Sequence, residues 1–518
     1  MKKLITISTL ALIMVSNLTN AQNYIYKFGV QFSDEGFDVK ALPNGECIVV
    51  GQNSGGAGSS KQCMLVMRLN ANGTIKWSKN LCNTDMTRAT QVAVLSDGSF
   101  IVSGYTKKDM DDMTRVGAMV KFNANGDTVW FRGYNITPVS IANEIEFTSM
   151  HKVDDNEFIV GGTKFLASIN GSGNVNWCYQ LDYINPTIYH VTKTSDGGIA
   201  ICGAVNDTTG GISVNNNMFL AKANSIGAIQ WFKSYGISTH FETATGLVEL
   251  PTGGFLMVGT TQMSGYPGLG LSDVIIVKTN ANGDTVWTKL VGGEGTDAGA
   301  KIIKNGSNYI ISGYSTTGIT GGSDIMLLTI NEDGDIISSK LSGPINTIQG
   351  RGIDISSENI FVTGAILGTD ADMYVSKFSL DGTPACYNEN VTFTSMGTNF
   401  VVRDFPPIQT TNKTLVSRGE SLIRVGSMGF GNNLCDGVTG MNKYQIDNTF
   451  NIYPNPNKGK FTISGNMKGN FVLLDVNGNK LMDISVNDEP KTIELNLSSG
   501  IYILMNNETG IVKKILVD

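Results

Sequence analysis

Three histidines are the only imidazoles in the chain, and His151, His190 and His240 stand at unrelated places in it. Metal sites and acid–base centres need several such groups close together, so isolated surface or loop histidines are the simpler interpretation. The chain also lacks the His-Glu-x-x-His, Gly-x-x-x-x-Gly-Lys and Gly-x-Ser-x-Gly patterns of zinc proteases, phosphate-binding loops and serine hydrolases. The sequence therefore identifies no catalytic residue and predicts neither a metal ion nor a cofactor.

Carboxylates and amides recur in patterns that deserve a chemical interpretation. Residues 280–284 and 331–335 collect oxygen atoms as a calcium loop does, but their glycine is the fourth residue rather than the sixth of an EF-hand loop. Hairpin turns are therefore the better interpretation of both. Two further sets of side chains are expected either to line a channel or to pair between neighbouring units: Asn217, Asp273, Asp324 and Asp372, and, five residues later in their units, Arg68, Lys121, Lys222, Lys278 and Lys377.

A repeat of about 50 residues carries these side chains. Five units place a tryptophan four residues after a turn glycine, at Trp77, Trp130, Trp177, Trp231 and Trp287. A second anchor, a strand that ends in glycine, is visible seven times, at Gly51, Gly104, Gly162, Gly203, Gly259, Gly313 and Gly364. Each unit supplies about four short strands whose sheet exposes two apolar faces. Packing such sheets around an axis buries both faces, which predicts an all-β, seven-bladed β-propeller over residues 22–390.

Large aromatic rings suit the gap between neighbouring blades, so we interpret the five tryptophans as blade packing, with sugar stacking as the alternative. The strand at residues 24–29 resembles the last strand of other units and is expected to complete the seventh blade. The longest inserts, residues 52–62, 105–114, 204–216, 260–272 and 314–323, connect equivalent strand ends. They should cluster on one rim, which exposes Asp109, Asp111, Asp112 and Tyr266 for recognition.

The N-terminus combines Lys2 and Lys3 with an apolar run and a small-residue cleavage site, which predicts a secretory signal peptide at residues 1–21. No later segment is long and apolar enough to span a bilayer in the mature chain.

Seven cysteines in an exported chain permit disulfides. Cys386 with Cys435 is the first candidate pair, and closing that loop is worth about 4 kcal/mol at most. Cys47 with Cys63 is the second candidate pair. Residues 391–435 are expected to form an accessory hairpin on the ring, and residues 436–450 a linker.

The composition changes at residue 451, where the sequence from Tyr453 to Pro456 opens a segment with turn signals every eight to twelve residues. That spacing predicts a small Ig-like β-sandwich over residues 451–518. The residues that carry a family resemblance are Tyr453, Pro454, Asn455, Pro456, Gly500 and Tyr502. With them, the segment resembles the type A C-terminal sorting domain of the type IX secretion system of Bacteroidetes. The resemblance implies the type IX secretion machinery as a partner. An accessory Ig-like binding module is the alternative.

Residues 24–390 resemble bacterial seven-bladed propeller repeats, and the tryptophan that follows the turn glycine is similar to the docking motif of quinoprotein propellers. No set of basic and acidic side chains suits a quinone, so no cofactor is expected. Propellers host many unrelated activities, so this resemblance is informative about fold alone.

The formal charge of −7 includes no basic stripe, which argues against nucleic acid as a partner. The sequence favours a secreted or outer-membrane cell-surface protein that reaches its place through the periplasm and binds a glycan or a protein without catalysis. The alternative is a polysaccharide lyase or hydrolase that uses carboxylates in the propeller channel. A purely structural surface component, with no ligand, is the third possibility.

Overall fold

In the computed structural model, the described residues form strands and turns and contain no helix. Among these residues there is accordingly no helix that is long and apolar enough to cross a membrane. The expected signal peptide and residues 436–449 of the expected linker lie outside the described residues. The described residues are 23–29, 33–54, 62–82, 86–109, 112–136, 144–181, 186–206, 216–236, 240–262, 269–318, 322–343, 347–368, 371–398, 401–404, 410–412, 415–419, 424–426, 432–435, 450–465, 469–475, 480–487, 489–506 and 512–517.

Twenty-eight strands build the repeats. The first belongs to the N-terminus and the others follow in groups of four or three: β1 (Tyr24–Phe28); β2 (Asp34–Ala41), β3 (Cys47–Ser54), β4 (Gln62–Leu69), β5 (Ile75–Cys82); β6 (Met86–Val94), β7 (Phe100–Asp109), β8 (Asp112–Phe122), β9 (Thr128–Ile136); β10 (Phe147–Asp154), β11 (Glu157–Gly162), β12 (Phe165–Asn170), β13 (Val175–Leu181); β14 (Thr187–Lys193), β15 (Ile199–Asn206), β16 (Asn216–Ala223), β17 (Ile229–Gly236); β18 (Glu242–Glu249), β19 (Phe255–Thr261), β20 (Asp273–Thr279), β21 (Thr285–Gly292); β22 (Asp297–Asn305), β23 (Asn308–Ser315), β24 (Asp324–Ile330), β25 (Ile336–Ser342); and β26 (Thr347–Ile355), β27 (Asn359–Leu367), β28 (Asp372–Ser379).

These strands form seven antiparallel blades arranged as a β-propeller. The first strands of neighbouring blades contact each other all round the ring and therefore surround its axis. Blades 1 and 2 are also joined by one parallel bridge between Gln62 and Met86. The core is divided among the junctions, since each of seven buried apolar clusters combines side chains of two neighbouring blades. The predicted fold class is confirmed.

The seven anchor glycines are explained by a β-bulge in the first strand of every blade. Each bulge inserts one residue opposite the glycine or beside it, at Phe37, Thr90, Thr148, Tyr189, Thr245, Ala300 and Arg351. An ideal Cβ on Gly259 would lie 1.7 Å from the carbonyl oxygen of Thr243, and on Gly104 1.8 Å from that of Arg88. The bulge brings the two backbones so close that only glycine fits.

The N-terminal strand closes the ring, as expected. β1 pairs with β28 over five residues and is the fourth strand of blade 7. Tyr24 lies opposite Lys377 as Trp130 lies opposite Lys121 in blade 2. Blade 7 therefore receives an aromatic residue at the tryptophan position from the other end of the chain.

The five tryptophans lie in the outer strands and pack against the clusters between their own blade and the next one. Four of them lie against the turn glycine of the following blade, where a Cβ would approach the indole to within 3 Å: Trp77 at Gly126, Trp177 at Gly227, Trp231 at Gly283 and Trp287 at Gly334. These contacts belong to packing, because the rings fill the space between sheets.

The segment after blade 7 differs from the expected hairpin. Its short strands are β29 (Asn388–Asn390), β30 (Thr394–Gly397), β31 (Val401–Asp404), β32 (Thr410–Asn412), β33 (Leu415–Gly419), β34 (Arg424–Gly426) and β35 (Asn432–Asn433). They pair antiparallel with the outer strands of blades 6, 5, 4, 3, 2, 1 and 7, in that order. We call residues 387–433 the belt, since they travel once around the ring. The hairpin prediction was wrong because seven blades each offer one open outer edge, and the segment covers all of them.

Two disulfides are present. Cys386 and Cys435 are joined, as predicted, and they flank the two ends of the belt. The second prediction was wrong: Cys63 is bonded to Cys82, whereas Cys47 is a buried free thiol in β3. Cys63 and Cys82 lie on β4 and β5, which are neighbours in blade 1. Burial raises the pKa of the Cys47 thiol to about 12, so this thiol stays protonated.

The tail is a small β-sandwich. Its strands are β36 (Phe450–Tyr453), β37 (Lys460–Gly465), β38 (Gly469–Leu474), β39 (Lys480–Val486), β40 (Lys491–Glu494), β41 (Gly500–Asn506) and β42 (Val512–Val517). They form a three-stranded sheet, β36-β37-β40, and a four-stranded sheet, β39-β38-β41-β42. Buried side chains of both sheets, including Phe461, Phe471 and Leu504, make up one apolar core.

Candidate functional site

The channel is lined by the seven first strands, and the bulges aim their side chains. In three blades the bulged residue is a threonine whose hydroxyl contacts a carbonyl of its own blade and another in the next blade. Thr245 Oγ1, for example, donates to Gly299 O at 2.7 Å. In blades 1 and 7 the bulge holds Phe37 and Arg351 instead. The repeat therefore keeps one backbone device and varies the side chain that it presents.

The residues that follow the bulges meet near the middle of the channel. Lys301 Nζ, in blade 6, lies 2.9 Å from Asp38 Oδ1 in blade 1 and 3.3 Å from Gln91 Oε1 in blade 2. Asp38 Oδ2 also accepts a hydrogen bond from the Val92 amide at 3.0 Å. Burial by itself raises the pKa of Asp38, but the charges of Lys301 and Lys40 and these hydrogen bonds bring it below the usual value. The centre of the channel is thus occupied by a fully paired ionic cluster.

One mouth of the channel carries a stack of charged and aromatic groups. Phe37 contacts two guanidinium groups, with the Arg88 Cζ 3.9 Å and the Arg351 Cζ 4.7 Å from its ring centre. Glu35 forms an ion pair with Arg351, lies 3.8 Å from Arg88, and accepts a hydrogen bond from Gln52 at 3.2 Å. We call Glu35, Phe37, Arg88 and Arg351 the mouth cluster. With two cations and one anion, it retains an excess positive charge.

This mouth lies on the face where the long inserts connect the second and third strands. Asp34, one residue before Glu35, pairs with Asn53, near the end of β3 and at the start of the insert of blade 1. The predicted recognition rim and the mouth cluster therefore share a face. Of the rim residues, Asp109 and Asp112 are paired in the β7–β8 ladder, whereas Asp111 and Tyr266 lie outside the described residues.

Two histidines also differ from expectation, because His151 and His190 lie in first strands of neighbouring blades rather than in surface loops. Burial, followed by the charges of Lys301 and His151, lowers the pKa of His190 to about 3. Burial, with Lys40 and Lys193 next in effect, lowers the pKa of His151 to about 4. Both imidazoles are therefore neutral at physiological pH.

The acidic residues that begin the third strands lie between blades. Asp273 and Asp297 are both completely buried at the junction of blades 5 and 6. One oxygen of each lies within 3 Å of where a Cβ of Gly292 would be, so these oxygens are at most about 5 Å apart. Burial, and next the charge of Asp297, raise the pKa of Asp273 to about 7. Asn217, Asp324 and Asp372 face the equivalent glycines of their blades, Gly236, Gly343 and Gly29.

Three of the five basic residues of the same strands bridge blades. Arg68 Nη1 donates to Ala124 O at 3.0 Å, and Lys377 Nζ to Ala71 O at 3.1 Å, in each case in the turn of the next blade. Lys278 reaches Glu332 in the next blade at 3.1 Å, whereas Lys222 pairs with Asp196 of its own blade at 2.7 Å. These cations are therefore not lining the channel.

The two calcium-like turns are hairpins held by their own side chains. The Asn331 Oδ1 accepts the Asp335 amide at 2.8 Å, and the Asn280 Oδ1 accepts the Asp284 amide at 2.9 Å. Within the described part of the chain, no three His, Cys, Asp or Glu side chains are grouped to hold a metal ion.

In the tail, the motif at residues 453–456 is attached to the last strand. Asn455 Oδ1 accepts the Leu516 amide at 2.7 Å, and both the amide and the side chain of Asn457 donate to Leu516 O at 2.9 Å. Tyr453, Pro454 and Pro456 are exposed, as is Gly500, whereas Tyr502 is buried and donates to Ser498 O at 2.9 Å. The motif therefore presents its apolar rings to solvent while its asparagine holds β42.

Residues 451–518 match the family model described as the secretion system C-terminal sorting domain. This domain indicates export to the cell surface or secretion, and it identifies the type IX secretion system as the machinery that handles the chain. A search of curated proteins found no match to the chain.

Several solved structures are similar to this chain at low identity. The propeller domain of the Trilobed protease from Pyrococcus furiosus is 9% identical, with 68% of this chain and 97% of that chain covered and a TM-score of 0.38. An α-L-arabinanase from Penicillium chrysogenum, complexed with arabinobiose, is 11% identical, with 70% and 99% covered and a TM-score of 0.38. Drosophila Plexin A, in complex with Semaphorin 1b, is 8% identical, with 68% and 88% covered and a TM-score of 0.33.

Proposed function

We propose that this exported propeller is a non-catalytic binding protein that holds a glycan or a protein at the mouth cluster and the surrounding loop rim. The observation that carries the proposal is the contact of Arg88 and Arg351 with Phe37, beside which one carboxylate, that of Glu35, lies among the described residues. Two guanidinium groups against one carboxylate favour a ligand that carries carboxylates of its own, such as an acidic glycan or an acidic peptide.

The ionic cluster in the channel supports binding at the surface rather than chemistry inside. Asp38, the carboxylate at its centre, is 1% exposed and is paired with Lys301. A general acid or base must reach a reacting atom within hydrogen-bond distance. A buried carboxylate that is already paired does not meet that requirement.

The alternative, a polysaccharide-degrading enzyme, has one observation in its favour. Asp273 and Asp297 approach each other to about the separation that retaining glycosidases use, and Asp273 has the raised pKa of a general acid. Both side chains are completely buried, however, so a polysaccharide has no access to them in this arrangement. The pair is better suited to a structural role between blades.

The test is an equilibrium binding screen of the exported full-length protein against acidic and neutral glycans and peptides, with product analysis in parallel. We expect saturable binding to acidic ligands without turnover. Replacing both arginines (Arg88→Ala, Arg351→Ala) should weaken it at least tenfold, which is about 1.4 kcal/mol. The matched control is Arg132→Ala, in the outer strand β9, which should bind as the wild type does.

Two outcomes would refute the proposal. If the double variant retains full affinity, the mouth cluster is not the binding site. If product forms and Asp273→Asn abolishes it, the protein is an enzyme.

A further inference from the structure

The N-terminal strand is held on both edges. Its inner edge pairs with β28 from Tyr24 to Phe28, and its outer edge is covered by β35, the last strand of the belt. Leu434 also donates its amide to Ile25 O at 2.9 Å. The strand that closes the ring is therefore the fourth strand of a five-stranded sheet rather than an edge strand.

The ladder between β35 and β1 contains only two residue pairs, Asn433 with Tyr26 and Asn432 with Lys27. Such a short ladder is easily opened from the C-terminal end of the belt, because each residue pair separates without disturbing the next one. The other belt strands are also short, with ladders of three to five residue pairs. In the absence of the disulfide, a pulling force on the chain after residue 435 would detach the belt strands one after another.

The disulfide changes the path of such a pull. Cys435 is the second residue after β35 and is bonded to Cys386, which is 4% exposed in the core between blades 6 and 7. The two Cα atoms are 5.9 Å apart although the residues are separated by 49 positions. The belt is thus a covalently closed loop around seven blades, and neither of its ends is free.

We propose that the Cys386–Cys435 disulfide is a mechanical anchor that carries load from the sorting domain into the ring and so protects the belt and β1. Load on residue 436 passes through the disulfide to Cys386 and into the core of blades 6 and 7. The belt ladders do not lie on this path. The device suits a chain whose C-terminal domain directs its export.

Single-molecule force spectroscopy tests the anchor. The full-length protein is held at its C-terminus and at a peptide tag inserted after Gly306, an exposed turn of blade 6 with no atom within 4 Å of a Cβ. Without the disulfide, the 49 positions that separate the two cysteines add about 170 Å of extended chain. We expect the Cys386→Ser, Cys435→Ser variant to release that length in several low-force steps, and the oxidised wild type to release none of it before the ring ruptures.

The variant Cys63→Ser, Cys82→Ser is the matched control, because it removes a disulfide within blade 1 and should behave as the wild type does. The same variant also allows a test that does not depend on whether the protein folds without the belt disulfide. In its background the belt disulfide is the one remaining crosslink, and a dithiol reductant added after folding should make the 170 Å release appear. Release of this length by the oxidised wild type at the same low force would overturn the proposal, as would its absence after reduction.

Discussion

Lys301 Nζ lies 2.9 Å from Asp38 Oδ1, so blades 6 and 1 are in ionic contact although blade 7 stands between them. The contact crosses the channel and is formed by residues that follow β-bulges in both strands. It couples parts of the ring that share no backbone hydrogen bonds.

Removing the cation of this pair should be costly. We expect Lys301→Met to lower the free energy of unfolding by about 3 kcal/mol, because it leaves the carboxylate of Asp38 buried without its closest cation. Chemical denaturation at pH 7 measures the effect. The double variant Asp38→Asn, Lys301→Met should recover most of the loss, since no charge then remains to be paired. Equal losses in the single and double variants would contradict this account.

The anchor glycines should not tolerate even one methyl group. Gly259→Ala places a Cβ 1.7 Å from the carbonyl oxygen of Thr243, so backbone must move, and we expect a loss of about 3 kcal/mol in unfolding free energy. Gly397→Ala, in a belt strand with no atom within 4 Å of a Cβ, should change stability by less than about 0.5 kcal/mol. A similar effect at both sites, measured by thermal or chemical unfolding, would refute the bulge explanation.

Asp273 should make the ring less stable as pH rises. The pKa of Asp273 is raised to about 7 in the folded protein, against about 4 in an unfolded chain. The free-energy cost of ionising Asp273 in the folded state therefore grows from about pH 4 to about pH 7 and is constant at higher pH. We therefore expect Asp273→Asn to be more stable than the wild type by about 1 to 3 kcal/mol at pH 8, with the difference vanishing near pH 4. Unfolding curves at several pH values measure it.

Asp297→Asn is the comparison for that experiment. Asp297 accepts the Gly293 amide at 2.7 Å and lies 3.3 Å from the Thr317 hydroxyl, so its charge is partly compensated. Its neutral variant should gain less stability than Asp273→Asn. A difference between Asp273→Asn and the wild type that does not change with pH would show that Asp273 is not the titrating group.

Export should depend on the turn that holds the last strand. Deleting residues 451–518 is expected to retain the protein in the periplasm, and cell fractionation measures this. Asn457→Ala removes the side-chain bonds to Leu516 O and from the Gly459 amide, so it should destabilise the tail by about 1 to 3 kcal/mol and reduce the surface yield. Lys458→Ala, at the exposed neighbouring position, is the control. Normal surface delivery of the truncated chain would contradict the assignment of the tail.

The sequence predicts the ring well because each blade repeats the same two constraints. Gly259 and its six equivalents mark the bulges, and Trp287 and its equivalents mark the outer strands. The closing strand is also predictable, since Tyr24 and Phe28 follow the pattern of a fourth strand. These signals are local and periodic, so they are visible without coordinates.

The channel and the belt were not predictable in the same way. Lys301 is 263 positions from Asp38 and 210 from Gln91, and the three residues lie in three different blades. Nothing in the neighbouring sequence shows that they converge. The belt strands contain only two to five residues each, too few to show alternation of polar and apolar side chains. A series of short β-like segments after the last repeat was the available signal.

The belt also limits the number of repeats that the ring can contain. Every blade receives one of its strands, and its two ends meet at a fixed crosslink. Duplicating or losing a repeat, an ordinary step in the evolution of arrays, would leave an uncovered edge or a surplus strand and would displace the cysteines from each other. Ring size in this lineage can therefore change only if the wrapping segment changes length in the same step.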